Sequence, residues 1–416
     1  MNGGKPLFDR GAIERPEAEL LLHCARSRRD LEGSARVTVL LQQQVDWDIV
    51  LQLAYRHKMM PLLYWSLSRC APGTIPASIL DRLREHFRSN SLINMSLTRK
   101  LIRILKEFEE HNIAAVPYKG PVLAASVYGD LALREFNDLD ILVRKEDILR
   151  AKRQLLFLEY RQENELTQVQ EAAFLESQRE YVFAHDDGSV VELHWAVTPR
   201  SFSFRLDSKE LWERLEEVSL GGVTVPTFSV EDSLLILCVH GSKHLWHRLI
   251  WLCDVAELVH ANSAIDWERL MEQAGRLGGT RMLFLGLVLA NDLLGAVLPC
   301  EILHKAQLDP MVRPLAAQVR ERLFRVAEEQ HEISRIGFDD QSRFHPFFIK
   351  VRERLRDKVI YCAYTFLVPT VEDWELLPLP KTLFPLYFVL RPIRLATRYG
   401  RKIANRTSRE KIGRNY

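Results

Sequence analysis

At 416 residues the chain has the length for two or three domains, and 47% hydrophobic residues place it with globular proteins rather than disordered or fibrous ones. No run reaches the roughly 18 apolar residues of a membrane span, the N-terminus lacks the apolar core of a signal peptide, and six cysteines show no paired spacing. The expectation is a cytoplasmic protein with free thiols. The net charge of +2 is unevenly spread: nine Lys/Arg and one acid from Arg391 to Tyr416 make +8, which leaves −6 on residues 1–390.

Residues 1–15 read as loosely ordered. From Glu17 to about His111 apolar residues recur at three and four, which predicts helices with one buried face, separated at Ala71-Pro-Gly and Ile75-Pro. These helices are expected to pack on the part of the chain that carries the chemistry.

Ile113–Gly120 is a short apolar run ending in Lys119-Gly120, and Pro117 marks it as an edge strand or a strand end. Pro121–Tyr128 reads as a helix with proline just inside its start. A second strand is expected at 138–143, where Asp138 and Asp140 precede Ile141, Leu142 and Val143. Alternate residues of a strand share a face, so the two carboxylates project together and repel. A cation between them relieves the repulsion, and Mg²⁺ suits hard oxygen ligands and substrate phosphates alike. The alternative is a surface strand with two solvated acids. A strand, a glycine that admits an anion, a helix start and an Asp-x-Asp strand together make a phosphate-handling layout.

Lys145–Leu156 reads as an amphipathic helix. Glu180–His185 and Ser189–Val197 flank Asp186-Asp-Gly188, a strong hairpin signal. In the second arm Glu192 and His194 share one face while Val191, Leu193 and Trp195 share the other. A two-metal site commonly takes a third carboxylate from a neighbouring strand, and Glu192 is the candidate; the alternative is a solvent-facing hairpin residue.

Residues 230–262 read as one long helix. At 100° per residue His240, Lys243, His244, His247, Trp251 and Asp254 fall on one face. One reading is a Lys–Asp ion pair with buried histidines. Another is zinc on His240 and His244, although the glutamate of the known zinc-helix motif is missing. Helix continues from Asp266 to Gln330, a polar loop is expected at 331–345, and a helix runs through Phe347–Leu355. A proline-rich connector then leads through Phe384, Tyr387 and Phe388 to the basic tail, which is expected to bind an anionic surface or nucleic acid, or to pack on the acidic body.

Tyr118-Lys-Gly120, Tyr128, Arg134, Asp138–Val143, Val191–Trp195, His240–Trp246 and Trp251–Asp254 together resemble the uncharacterised nucleotidyltransferase family of the polymerase-β-like superfamily, over about Trp47 to Arg398. One departure is Pro121, where the wider superfamily usually has a second small residue, serine or glycine. The resemblance implies an α/β (α+β) fold: a small mixed β-sheet nucleotidyltransferase core with flanking helical domains. The divisions expected are a helical region 1–111, a catalytic core 112–228, a helical domain 229–380 that closes the nucleotide cleft, and a tail 381–416. The implied chemistry is metal-dependent transfer of an NMP from an NTP to an acceptor, which is RNA, protein, a sugar or a small molecule. Asp138, Asp140 and Glu192 would be catalytic and hold Mg²⁺, two ions, with Mn²⁺ as the alternative. Lys119, Gly120, Arg134, Lys243, His244 and Asp254 would serve nucleotide binding: Lys243 on the triphosphate, Asp254 orienting Lys243 or His244, Arg134 on phosphate or bracing the acidic strand. The rival functions are a nucleotide-binding adaptor without turnover, which Pro121 favours, and a metal-dependent phosphohydrolase.

Overall fold

The computed structural model describes residues 15–27, 31–70, 73–164, 166–202, 204, 206, 209–325, 345–377, 379 and 381–397. Its centre is a five-stranded mixed sheet of β1 (Ala115–Pro117), β2 (Asp138–Val143), β3 (Arg161–Gln162), β4 (Glu180–Ala184) and β5 (Val190–His194), in the order β1-β2-β5-β4-β3. Pro117 sits on the edge strand, where its missing N–H costs no ladder bond. The Asp186-Asp-Gly188 turn joins β4 and β5 as an antiparallel hairpin, with Gly188 at φ +83°. Among the described residues only β2 and β5 pair in parallel, and the chain between them crosses over through the helix Ile148–Phe157. A separate ribbon, β6 (Glu216–Leu220) with β7 (Val223–Thr227), turns on Gly221 and Gly222, both at positive φ.

Period-two alternation gives the sheet two different faces. Leu139, Ile141, Val143, Tyr181, Phe183, Val191, Leu193 and Trp195 point to one side and bury against Leu97, Leu101, Ile104 and Phe108 of the long helix Ala77–Glu110. The acids point to the other side. A second, mostly helical core joins Pro16–His23, Trp47–Arg56 and Met60–Cys70 to Val230–Lys243, Leu249–Ala261, Thr280–Leu294 and Val312–Phe324, and takes in Val116 of β1 and Leu142 of β2. Most of the N-terminal helices therefore share a core with the later helices, while Ala77–Glu110 supports the sheet.

The long helix expected over 230–262 is two helices, Val230–Lys243 and Leu249–Ala261. Leu245 and Trp246 both take left-handed backbone, at φ +57° and +53°. Leu245 N–H donates to Ser242 O and Trp246 N–H to Gly241 O, the paired bonds that close a helix C-terminus. What holds two non-glycine residues there is the fully buried Trp246 ring. It lies over Gly241, where an added Cβ would come within 2.4 Å of the ring, and beside Gly286. The helix expected through Phe347–Leu355 likewise ends early, at Lys350, and a new one begins at Leu355. The loop expected at 331–345 lies outside the described residues except for His345.

Residues 387–397 are helical. Two charges of the basic tail turn inward: Arg391 is buried 2.5 Å from Asp373 Oδ2, and Arg394 Nε lies 2.7 Å from Asp373 Oδ1. Tyr387 is buried and Phe388 is exposed. The rest of the tail, 398–416, lies outside the described residues. All six cysteines are free. Among the described residues no helix is long and apolar enough to cross a membrane.

Candidate active site

The parallel register sets Asp140 opposite Glu192, Asp138 opposite Val190 and Leu142 opposite His194. The hairpin register sets Glu180 opposite His194. Paired residues of adjacent strands point the same way, so Asp138, Asp140, Glu192, His194 and Glu180 share one face. Lys119 reaches into this group from the turn after β1: its Nζ donates to Asp140 Oδ1 at 2.7 Å. His194 Nε2 lies 3.1 Å from the same oxygen and 3.3 Å from Glu192 Oε2, and His194 Nδ1 lies 2.9 Å from Glu180 Oε2. Arg179 pairs with Glu180.

Gly120 makes the approach of Lys119 possible. Its φ of +47° suits glycine, and a Cβ there would come 3.3 Å from the carbonyl oxygen of Asp138. The segment before β2 is clamped by the long helix: Asn94 donates to Leu131 O and Arg134 O, and Asn90 to Ala132 O. This fixes where the acidic strand starts.

The acids differ because their neighbours differ. Burial pushes the Asp138 carboxyl up to about 6, and the Asp140 and Glu192 charges add to it. Burial also acts on Asp140, but the Lys119 ammonium and His194 outweigh it and hold that carboxyl well below the usual range. Glu180 is held low in the same way by Arg179 and His194, against its burial. Burial disfavours charge on His194, yet Glu180, Asp140 and Glu192 raise it to about 9. Lys243 is pushed down to about 7, first by burial and then by Arg179, with Glu180 and Glu192 opposing.

The expected site residues fall into three groups. Asp140, Glu192 and Lys119 meet on one face, Asp138 shares that face by register, and Lys243 feels the charges of Glu192 and Lys119. His244 joins a ring cluster with His240 (centroids 4.5 Å apart), Trp251 (5.2 Å) and His247 (6.4 Å). Burial, then neighbouring cations, hold the imidazoles of His240 and His244 far below their ordinary value. Among the described residues no third His, Cys, Asp or Glu completes a metal-binding group with His240 and His244, which leaves the zinc alternative without a ligand set.

Asp254 corrects an expectation. It orients neither Lys243 nor His244. Arg134 grips it with two bonds, Nε–Oδ1 at 2.8 Å and Nη2–Oδ2 at 2.9 Å, and Tyr128 Oη donates at 2.8 Å. The break at Leu245 explains the change, because it rotates Leu249–Ala261 away from the face projected for an unbroken helix. The pair is buried and ties the segment before β2 to the helical core.

Arg179, Glu180 and the contacts of His194 were not singled out from sequence. A signal existed: the Asp-Gly turn fixes the hairpin register, and counting back from it pairs Glu180 with His194.

No curated protein matches the chain. Among solved structures it is similar to the lincosamide antibiotic adenylyltransferase LnuA in lincomycin-bound form, at 16% identity over 39% of this chain and 97% of that one, TM-score 0.27. It is also similar to the antibiotic-resistance factor ANT(2'')-Ia, at 14% identity over 58% and 99%, TM-score 0.28. An antigenic nucleotidyltransferase-like protein from Paracoccidioides brasiliensis matches at 15% identity over 53% and 97%, TM-score 0.27. Similarity this low adds nothing to the assignment of residues. The family model for uncharacterised nucleotidyltransferases matches residues 43–295, a span that takes in the acid-bearing sheet and the helices packed beside it, and the chain belongs to that family.

Proposed function

We propose that the protein transfers a nucleoside monophosphate from an NTP to an acceptor nucleophile, with Asp138, Asp140 and Glu192 as the catalytic carboxylates holding Mg²⁺. The observation that carries this reading is the β2–β5 register, which lines up three carboxylates on one face of adjacent strands in a chain of nucleotidyltransferase family. The donor set fits a divalent ion: oxygens of Asp140 and Glu192 lie within 4.8 Å of each other, Asp138 shares their face, and burial, then the Asp140 and Glu192 charges, raise the Asp138 carboxyl to about 6. When bound, the ion supplies charge neutralisation at the α-phosphate and the attacking oxygen.

The chain's own residues supply the rest. Glu192 is the more open of the two paired acids, at 27% side-chain exposure against 4% for Asp140, and is placed to accept the acceptor's proton. Lys243, with its amine near pH 7, becomes fully charged when a polyanion arrives and holds the departing pyrophosphate. Lys119 balances Asp140, and Gly120 lets it do so. Arg134 and Asp254 act on the nucleotide indirectly, by bracing the acidic strand.

Incubation with α-labelled NTPs, Mg²⁺ and a cell extract tests the reading. Label on a macromolecule or small acceptor is expected, and should vanish in Asp140→Asn. Free NMP alone means a hydrolase. One observation favours an adaptor without turnover: Lys119 and His194 both place cations on Asp140 Oδ1. Bound, unchanged nucleotide would select that reading.

A further inference from the structure

The face that carries the three carboxylates also carries an imidazole that the mechanism above does not use. His194 is fully buried, two residues past Glu192 on β5. Its Nε2 points between Asp140 Oδ1, at 3.1 Å, and Glu192 Oε2, at 3.3 Å. Its Nδ1 lies 2.9 Å from Glu180 Oε2. Donor atoms of Asp140, Glu192 and His194 all lie within 4.8 Å of one another, and two of the three residues are buried. A neutral imidazole has one N–H and one lone pair. Nε2 faces two carboxylates, which favour a proton there. A cation held by those carboxylates displaces that proton to solvent and takes the freed Nε2 lone pair, and the Glu180 carboxylate 2.9 Å from Nδ1 stands behind the ring, where a metal-bound imidazole usually has its support.

We infer that His194 is a nitrogen ligand of the cation site, with Glu180 as its positioning residue, and that the site therefore prefers Mn²⁺ or another first-row transition ion over Mg²⁺. This rests on the cation reading proposed above and specifies its ion. Mg²⁺ takes oxygen ligands almost alone, whereas first-row transition ions accept imidazole beside carboxylate. Lys119 competes for the shared Asp140 oxygen, so the imidazole is what separates the two ions' affinities.

The test needs no nucleotide. Metal-free full-length protein is titrated with MnCl₂, free ion is read by electron paramagnetic resonance, and the bound ion by electron spin-echo modulation. Wild-type protein should show modulation from an imidazole nitrogen, and His194→Gln should lose it. That variant should bind Mn²⁺ about tenfold more weakly or worse, while Mg²⁺ affinity, read by competition, changes by less than about threefold. Glu180→Gln should keep the nitrogen signal and weaken Mn²⁺ binding. The spectrum of the wild-type protein decides the matter even where a variant fails to fold. No bound Mn²⁺, bound Mn²⁺ without nitrogen modulation, or equal loss of both ions in His194→Gln overturns the inference. Transfer measured on the same preparation separates the two claims. Transfer without the nitrogen signal removes only the ligand; the signal without transfer to any acceptor supports the ligand and removes only the transferase.

Discussion

Asp138→Asn exchanges one carboxylate oxygen for an amide nitrogen and keeps the side chain's size. In the wild type, burial and the Asp140 and Glu192 charges raise this carboxyl from 3.8 to about 6. A proton held more tightly in the folded state contributes stability that is complete below the unfolded value and is lost as pH rises through the folded one. The window is therefore 3.8 to about 6, and above it the ionised carboxylate carries the whole penalty. A rise of that size corresponds to at most about 3 kcal/mol, and the partial exposure of Asp138 brings the figure down. Asparagine has no such loss. In EDTA near pH 8 the variant should melt above wild type, and near pH 4.5, where wild-type Asp138 carries its proton, the difference should shrink towards zero. Adding Mg²⁺ or Mn²⁺ near pH 8 should raise the wild type more than the variant, because only the wild type offers a charge to neutralise. Transfer should fall by at least about a hundredfold, the loss of several kcal/mol of charge stabilisation. Melting curves across pH, with and without metal, measure all of this. Equal melting temperatures for variant and wild type at both pH values would refute the electrostatic crowding on which the cation reading depends.

Asp254→Asn should cost about 3–5 kcal/mol by urea unfolding, because Arg134 stays buried and charged. Arg134→Met combined with Asp254→Leu should recover most of that, and a loss under 1 kcal/mol in the single variant would show the pair to be expendable. Lys243→Ala should weaken NTP binding more than NMP binding in calorimetry; equal losses would make Lys243 structural. Gly241→Ala should lower the melting temperature despite alanine's better helix propensity. Its Cβ would meet Trp246, so overpacking of about 1–3 kcal/mol outweighs about 1 kcal/mol gained; an unchanged melting temperature would mean the ring moves freely. Truncation after Leu390 should destabilise the fold by leaving Asp373 without Arg391, so liposome and RNA binding by the tail is better compared with a chain ending at Thr397; a stable truncation at Leu390 would count against the buried pair.

Periodicity alone placed Asp138 and Asp140 on one face, and the Asp-Gly turn alone fixed the hairpin that carries Glu192, because both depend on residues near in sequence. Gly221-Gly222 between two β-rich runs carries the same kind of local signal for the β6–β7 ribbon. The parallel pairing of β2 with β5 is different. No local pattern says which of the distant strands will lie beside β2, so the meeting of Asp140 with Glu192 belongs to the tertiary structure. The helix break at Leu245 is of the same kind. Leu245 and Trp246 continue an apolar period without interruption; what stops the helix is the space over Gly241 and Gly286, the second on another helix. That break in turn gave Asp254 to Arg134 and Tyr128 instead of Lys243. Hydrophobic period reports which side of an element is buried, while the partner of a buried charge is chosen by packing between elements far apart in the chain, where only a close geometric match offsets desolvation.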